Sequence, residues 1–171
     1  MNRRLIGCVA GIVAVALLAG CGGGDSTPPP PTLDFSQMGG NWTGTWHNTT
    51  YDITGEANLA ATVNPADRTV EATVTLTGDV FGLPAAPAPI TLHGTYTDSV
   101  MTFPPTAAPI GTVSATLSSN GALTATITDI PGGLVSHVDI TGTATATTVN
   151  ANYTVHSVLG PTAVGTLVFS Q

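Results

Sequence analysis

The histidines are the side chains of this sequence best suited to hold a metal ion or move a proton. There are four, and each falls on the polar face of a different segment of alternating apolar and polar residues. Histidine metal sites usually need ligands close in sequence or a carboxylate placed beside them. We therefore predict solvated surface histidines and no metal site, although two can converge if non-consecutive strands meet. The four are His47, His93, His137 and His156.

The ten acidic residues are scattered singly, and no Asp-x-Asp-x-Asp-Gly calcium loop occurs. A carboxylate pair for glycoside hydrolysis can form only across strands, which the sequence does not reveal. The chain has no Gly-x-Ser-x-Gly nucleophile elbow and no lysine. Most routes to nucleophilic or phosphoryl-transfer catalysis are therefore missing. We predict a protein that is not an enzyme and has no cofactor.

The N-terminus has the order of an export signal, with two arginines, an apolar run over residues 5–20 and a cysteine. The run is shorter than the roughly 20 residues that cross a bilayer as a helix. Leu18-Ala19-Gly20-Cys21 resembles the lipobox of bacterial lipoproteins. The resemblance implies that residues 1–20 are removed and that Cys21 is lipidated, which anchors the protein stably to a membrane. Gly22 stands where an inner-membrane lipoprotein usually has aspartate, so we expect the outer membrane, on either its periplasmic or its surface side.

The composition of the mature chain excludes several partners and crosslinks. Removing residues 1–20 leaves Arg68 as the only base against ten acids, so the formal charge is −9. Such a chain repels phosphate backbones, and we predict no nucleic-acid binding. Cys8 is removed and Cys21 is acylated, so no thiol is left for a disulfide or a metal. Stability must therefore come from a packed core.

Residues 21–33 are rich in glycine and proline and are typical of a linker, and residues 34–171 form the one predicted domain. This domain has no helical periodicity but repeated period-2 alternation, which is typical of half-buried antiparallel strands. Turn signals such as Ser119-Asn120-Gly121 separate the alternating segments. Two proline-rich stretches, 83–89 and 104–109, are predicted loops. The alternating segments are 41–47, 51–63, 70–77, 90–97, 112–117, 123–128, 138–147, 149–156 and 164–170.

Short turns between consecutive strands predict an all-β antiparallel meander of eight to ten strands. Strands with one apolar face close into a barrel or fold into a sandwich. Closure removes exposed strand edges, which matters in a chain with few charges to protect them. We therefore favour a small closed barrel and keep a β-sandwich as the alternative.

Two tryptophans near the start of the domain are its most distinctive feature. Trp42 and Trp46 share a strand face with Gly44 between them. Gly44-Thr45-Trp46 resembles the Gly-x-Trp motif of lipocalins and avidins, whose tryptophan packs near the barrel base. No later tryptophan matches an avidin biotin site. We interpret the pair as core, or as part of a ligand pocket with Tyr96 and Phe103.

Two functions follow from these expectations. The first is a non-catalytic interaction or inhibitor module that binds an envelope protein, which functional groups on loops 83–89 and 104–109 would favour. The second is a carrier of a small apolar ligand inside a lipocalin-like barrel, which the Gly-x-Trp resemblance implies. A pocket lined by Trp42, Trp46, Tyr96 and Phe103 would favour the carrier. The interior positions are rich in alanine, glycine and valine, which either leave a cavity or let the walls collapse.

Overall fold

The computed structural model describes residues 32–80 and 86–171, which form ten strands after a 3-10 helix at Phe35–Gln37. The predicted signal peptide, Cys21 and most of the predicted linker lie outside the described residues. No helix within the described residues is long and apolar enough to cross a membrane. The strands are β1 (Gly40–Asn48), β2 (Ile53–Asn64), β3 (Thr69–Leu76), β4 (Ile90–Tyr96), β5 (Val100–Ala108), β6 (Gly111–Ser118), β7 (Ala122–Thr128), β8 (Val135–Ala144), β9 (Thr148–Ser157) and β10 (Ala163–Ser170).

The strands form one closed antiparallel barrel in which each strand pairs with the next in the sequence. β1 closes the ring by pairing with β10, from Thr43 opposite Ser170 to Asn48 opposite Gly165. The predicted all-β meander and its closure into a barrel are therefore confirmed, and the sandwich alternative is wrong. Closure pairs the two outer strand edges with each other. The chain has too few charges to protect such edges from pairing with another molecule if they were exposed.

Alternation sorts the apolar side chains to the inside and threonine to the outside. On β3, for example, Val70 and Ala72 are buried. Outward hydroxyls on neighbouring strands bond one another, as Thr116 and Thr124 do across β6 and β7 at 2.7 Å. Cross-strand threonine pairs of this kind stabilise a sheet while they remain hydrated.

Because the strands alternate in direction, their connections lie at two ends of the barrel. The base carries the turns after β2, β4, β6 and β8, together with both ends of the described chain. The predicted hairpin turn after β6 lies here: Asn120 Oδ1 accepts the amide of Ala122 at 3.0 Å, and Gly121 has a φ of +88°. The mouth carries the connections after β1, β3, β5, β7 and β9, of which the turn after β5 is the shortest.

The base is closed by the segment that precedes β1. The Asp34 carboxylate accepts the amide of Ser36 at 3.0 Å and so caps the 3-10 helix. This places Phe35, only 2% exposed, inside the barrel. Its ring packs edge-on against the ring of Tyr96, with the two ring centroids 6.0 Å apart. The Leu33 amide donates to the Ser119 carbonyl at 2.7 Å and ties the segment to the turn after β6. The base is therefore sealed by the chain itself.

The predicted loop at 104–109 is wrong, because β5 continues through Ala108. Pro104 and Pro105 lie at a bulge in the pairing with β6, and β4 pairs with β5 at only two positions, both before the prolines. The strand continues because neither proline has to donate an amide to a neighbour there.

The predicted segment 138–147 is displaced, because β8 runs from Val135 to Ala144. Thr145 Oγ1 accepts the amide of Thr148 at 3.0 Å and forms a turn at the point where the alternation continues in the sequence. Ala146 is consequently exposed.

Candidate functional site

An apolar cavity of about 500 Å³ occupies the mouth half of the barrel. Its walls are inward-facing aliphatic side chains from both sides of the ring, and its lining extends to exposed residues of the mouth loops. The cavity is therefore continuous with the surface at the mouth. Six of the wall residues are Val74, Leu92, Val113, Ile127, Val138 and Val155.

A row of mostly small residues across β6 to β10 explains why the barrel is not filled at this level. The strand register places Ala115, Ala125, Ile140, Tyr153 and Gly165 side by side around the ring. A barrel of eight strands is just wide enough for side chains to fill, and the diameter grows with strand number. Ten strands with two adjacent alanines at one level therefore leave a space between the walls.

Tyr153 brings a polar group into the apolar wall. Its ring lies over Gly165, its partner on β10, where a Cβ atom would collide with it. Burial raises the pKa of Tyr153 from 10.0 to about 12, because the phenolate is poorly solvated there. Tyr153 lines the cavity, and its hydroxyl is neutral at physiological pH. A neutral hydroxyl can donate one hydrogen bond to a ligand and also accept one.

The structure separates the four aromatic residues singled out in the sequence. Trp42 and Tyr96 pack in the base half of the core, Phe103 packs against the clusters of both halves, and none of the three lines the cavity. Trp46 packs on the same core but also lines the cavity. Its ring lies over Gly55, and its Nε1 donates to the Thr77 carbonyl at 2.9 Å, so the indole is held in place.

Exposed apolar side chains surround the mouth. Of the six large exposed hydrophobic residues in the described part of the chain, four lie in mouth connections, and the other two are on the outside of β10. Leu159 is 92% exposed and Leu134 is 70% exposed. We call the four the apolar rim: Tyr51, Leu134, Val158 and Leu159. Exposed groups of this kind at one end of a domain mark an entry or a contact surface.

The charge around the cavity disfavours an anionic ligand. Asp79 is the one acidic residue among the described lining residues, and none of those residues is lysine, arginine or histidine. Asn48 and Ser157 add neutral polar groups near the mouth. A carboxylate or phosphate inside would have no positive partner and would lose its hydration, which is costly.

A second group of functional side chains lies on the outer face of β8 and β9. His137 and His156 are cross-strand partners whose rings stack in parallel, with centroids 4.1 Å apart. Their Nε2 atoms lie 3.5 Å and 3.2 Å from the same oxygen, Oδ2 of Asp139. The expectation that histidines stay apart unless non-consecutive strands meet is therefore wrong, because these two strands are consecutive.

The other two histidines are surface residues, as predicted, and each lies beside one carboxylate. His93 is 3.4 Å from Glu71, and His47 is 3.2 Å from Asp52. Exposed pairs of this kind contribute little to stability. They differ from the β8–β9 group in lacking a second imidazole.

The comparisons with known proteins support the fold alone. No family model and no curated protein matches the chain. The barrel is similar to the crystal structure of Rv2717c from M. tuberculosis, with a TM-score of 0.54 and 11% sequence identity. The match covers 80% of this chain and 94% of that one. The likeness supports an all-β barrel and carries no information on the ligand.

Sequence reasoning missed the cavity row and the β8–β9 group, although part of each signal is visible in the sequence. His137 and Asp139 have the i, i+2 spacing that places both on one strand face. The alignment of Ala115 with Ala125 depends on the register, which the turn at 119–121 sets.

Proposed function

We propose that the barrel binds a small, neutral, apolar molecule in its mouth half and carries or stores it at the cell envelope. The observation that carries the proposal is the cavity of about 500 Å³ with an aliphatic wall. Ligand sites of soluble proteins typically measure about 300–1,000 Å³ and have apolar walls with a few polar groups. Since roughly 150 Å³ is enough to hold benzene, this cavity has room for about three groups of that size.

The polar groups of the cavity narrow the ligand class. The neutral Tyr153 hydroxyl suits a ligand with a single hydroxyl, ether or carbonyl oxygen, to which it would donate a hydrogen bond. Asp79 and the absence of a cation among the described lining residues disfavour acidic ligands such as fatty acids. The proposed ligand is therefore a compact neutral hydrocarbon skeleton with one oxygen function.

We further propose that Cys21 anchors the protein by its lipid to the outer membrane of the cell envelope. The lipobox-like residues and Gly22 after them support this anchor. The described part of the chain enters the barrel at the base. A tether at the base leaves the mouth unobstructed by the anchoring segment.

Two measurements test the carrier proposal. Native mass spectrometry of the full-length protein purified from its own host should show an additional mass that disappears on denaturation. After delipidation with organic solvent and refolding, the protein should bind N-phenyl-1-naphthylamine, a neutral apolar dye, with one site per chain. Release of the dye by the host-derived molecule would place both in one site. An apo mass together with no dye binding would contradict the carrier function.

The apolar rim favours a second candidate, a non-catalytic interaction or inhibitor module. Tyr51, Leu134, Val158 and Leu159 present exposed apolar groups from three loops at one end of a rigid scaffold. Aromatic and aliphatic groups in such a position are typical anchors of protein contacts. Crosslinking from a photoreactive residue at position 159 in intact cells tests this function, with position 146 at the base as the control. A specific partner at 159 only, with an empty cavity, would favour this candidate over the carrier.

A further inference from the structure

We infer that His137, Asp139 and His156 bind a zinc ion on the outer face of the β8–β9 hairpin. This site is separate from the cavity and does not depend on the proposed carrier function. Two imidazoles and one carboxylate are a ligand set that zinc takes in proteins, with water or another group in the fourth position. All three ligand atoms lie within 4.8 Å of one another in the folded chain.

The backbone brings these ligands together. His137 and Asp139 point to the same face of β8, because they are two residues apart. The register pairs His137 with His156 after a shift between Val135 and His137, which directs both rings outward. The barrel backbone therefore holds the three ligands close together before any metal binds. Metal binding has to fix only the rotations of their side chains.

The distances are close to those of a tetrahedral site. Zinc–nitrogen and zinc–oxygen bonds of about 2.0–2.2 Å place neighbouring ligand atoms roughly 3.3–3.5 Å apart. The Asp139 oxygen is 3.5 Å from His137 Nε2 and 3.2 Å from His156 Nε2. The remaining adjustment is a splay of the two parallel rings, whose side chains are partly exposed and free to turn.

Ser136 orients one of the imidazoles for metal binding. Its hydroxyl donates its one proton to the His156 carbonyl at 2.9 Å. The same oxygen lies 3.0 Å from His137 Nδ1, so it must accept there, and Nδ1 carries the hydrogen. In a neutral His137 the lone pair is then on Nε2, which faces the Asp139 carboxylate. Partners of this kind on the second ring nitrogen are typical of zinc-bound histidines.

Two acceptor atoms that face each other repel unless a proton or a metal ion lies between them. In the neutral tautomer that Ser136 selects, His137 Nε2 and Asp139 Oδ2 are both acceptors, and a divalent ion satisfies both. The strongly acidic chain raises the local concentration of cations. Imidazole ligands favour zinc and its neighbours over magnesium and calcium, which prefer oxygen.

The experiment uses the full-length protein in detergent, stripped with a chelator and titrated with zinc chloride in a calorimeter. We expect one zinc per chain. His137→Gln, His156→Gln and Asp139→Asn should each weaken zinc affinity at least tenfold, since even outer partners of zinc ligands are worth about 10–100-fold. His93→Gln is the matched control, because His93 pairs with Glu71 at 3.4 Å but has no second imidazole. It should leave the affinity unchanged.

A spectroscopic readout on the unmodified chain keeps the test independent of how the variants fold. Zinc should shift the side-chain nitrogen signals of His137 and His156 in an NMR spectrum and leave His93 unchanged, and magnesium at the same concentration should shift none of them. The inference is overturned if the wild type binds no zinc. It is equally overturned if the ligand variants bind zinc as tightly as His93→Gln does.

Discussion

Replacing Ala115 and Ala125 with phenylalanine tests whether the cavity exists in solution. The two residues are direct cross-strand partners on β6 and β7, and both line the cavity. Each phenyl ring needs roughly the 150 Å³ that holds benzene, so two rings fill about 300 Å³ of the 500 Å³ present. Filling an empty apolar space recovers at most about 24 cal/mol per Å³, or about 3.6 kcal/mol per ring. After the loss of side-chain entropy we expect a gain of about 1–3 kcal/mol for each substitution.

The assay is urea unfolding of Ala115→Phe, Ala125→Phe and the double variant, with binding of N-phenyl-1-naphthylamine measured on the same samples. The double variant should unfold at higher urea and lose dye binding by at least tenfold. Ala122→Phe, at an exposed position of the same β7 strand, is the control and should change neither quantity. If the walls are in fact collapsed, the rings overpack the core and destabilise it by about 1–3 kcal/mol each. A loss of stability would therefore refute the cavity, because the sign of the effect depends on it.

Four further results are expected from three other substitutions. Tyr153→Phe should weaken binding of ligands that carry an oxygen by about 3–10-fold, the worth of one hydrogen bond, as titration of matched ligands with and without the oxygen would show. The same variant tests the pH dependence of stability, because folding raises the pKa of Tyr153 from 10.0 to about 12. The stability linked to this shift is fully present below pH 10 and is lost as the pH rises toward 12. The urea midpoint of the wild type should therefore fall more steeply over this range than that of Tyr153→Phe, and equal slopes would contradict the assigned burial. Phe35→Ala should cost about 3–5 kcal/mol by removing the seal of the base, measured by thermal unfolding, and a near-neutral effect would mean that the segment before β1 is not packed in solution. Cys21→Ala should move the protein from the membrane fraction to the soluble fraction of the cell envelope, and retention on the membrane would argue against the lipid anchor.

The sequence predicts most of the strands because alternation and turn chemistry act locally. Asn120 and Gly121 set the hairpin after β6 through one side-chain bond and one positive φ, and both are readable from residue type. The failures lie where a neighbouring strand decides the outcome. Pro104 and Pro105 are tolerated within β5 because β4 leaves that part of the strand unpaired, a fact of register and not of the local sequence.

The candidate sites were less predictable, because each depends on which positions of different strands lie at the same level. The cavity requires Ala115 opposite Ala125, at the level of Ile140 and Tyr153 on the following strands. The zinc ligands require a one-residue shift in the pairing of β8 with β9, which brings His137 opposite His156. A shift of one residue moves a side chain to the other face or away from its partner, so site prediction fails at register errors too small to change the fold.

Under the proposed carrier function, the base half of the barrel contributes mainly to stability and the mouth half supplies the binding site. In the base half, Phe35, Met38 and Trp42 fill the interior and bury apolar surface, while a second buried cluster around Ile127 and Val138 packs in the mouth half. In the mouth half, valines, alanines and Ile140 line a space that they do not fill. The apolar atoms that face this space therefore lack van der Waals contacts on one side. A protein that carries a ligand needs such an unfilled space, because the ligand then makes the packing contacts that the chain itself does not make. The packed base compensates for the stability that the unfilled space costs. Substitutions that fill the space should therefore stabilise the domain and abolish ligand binding at the same time.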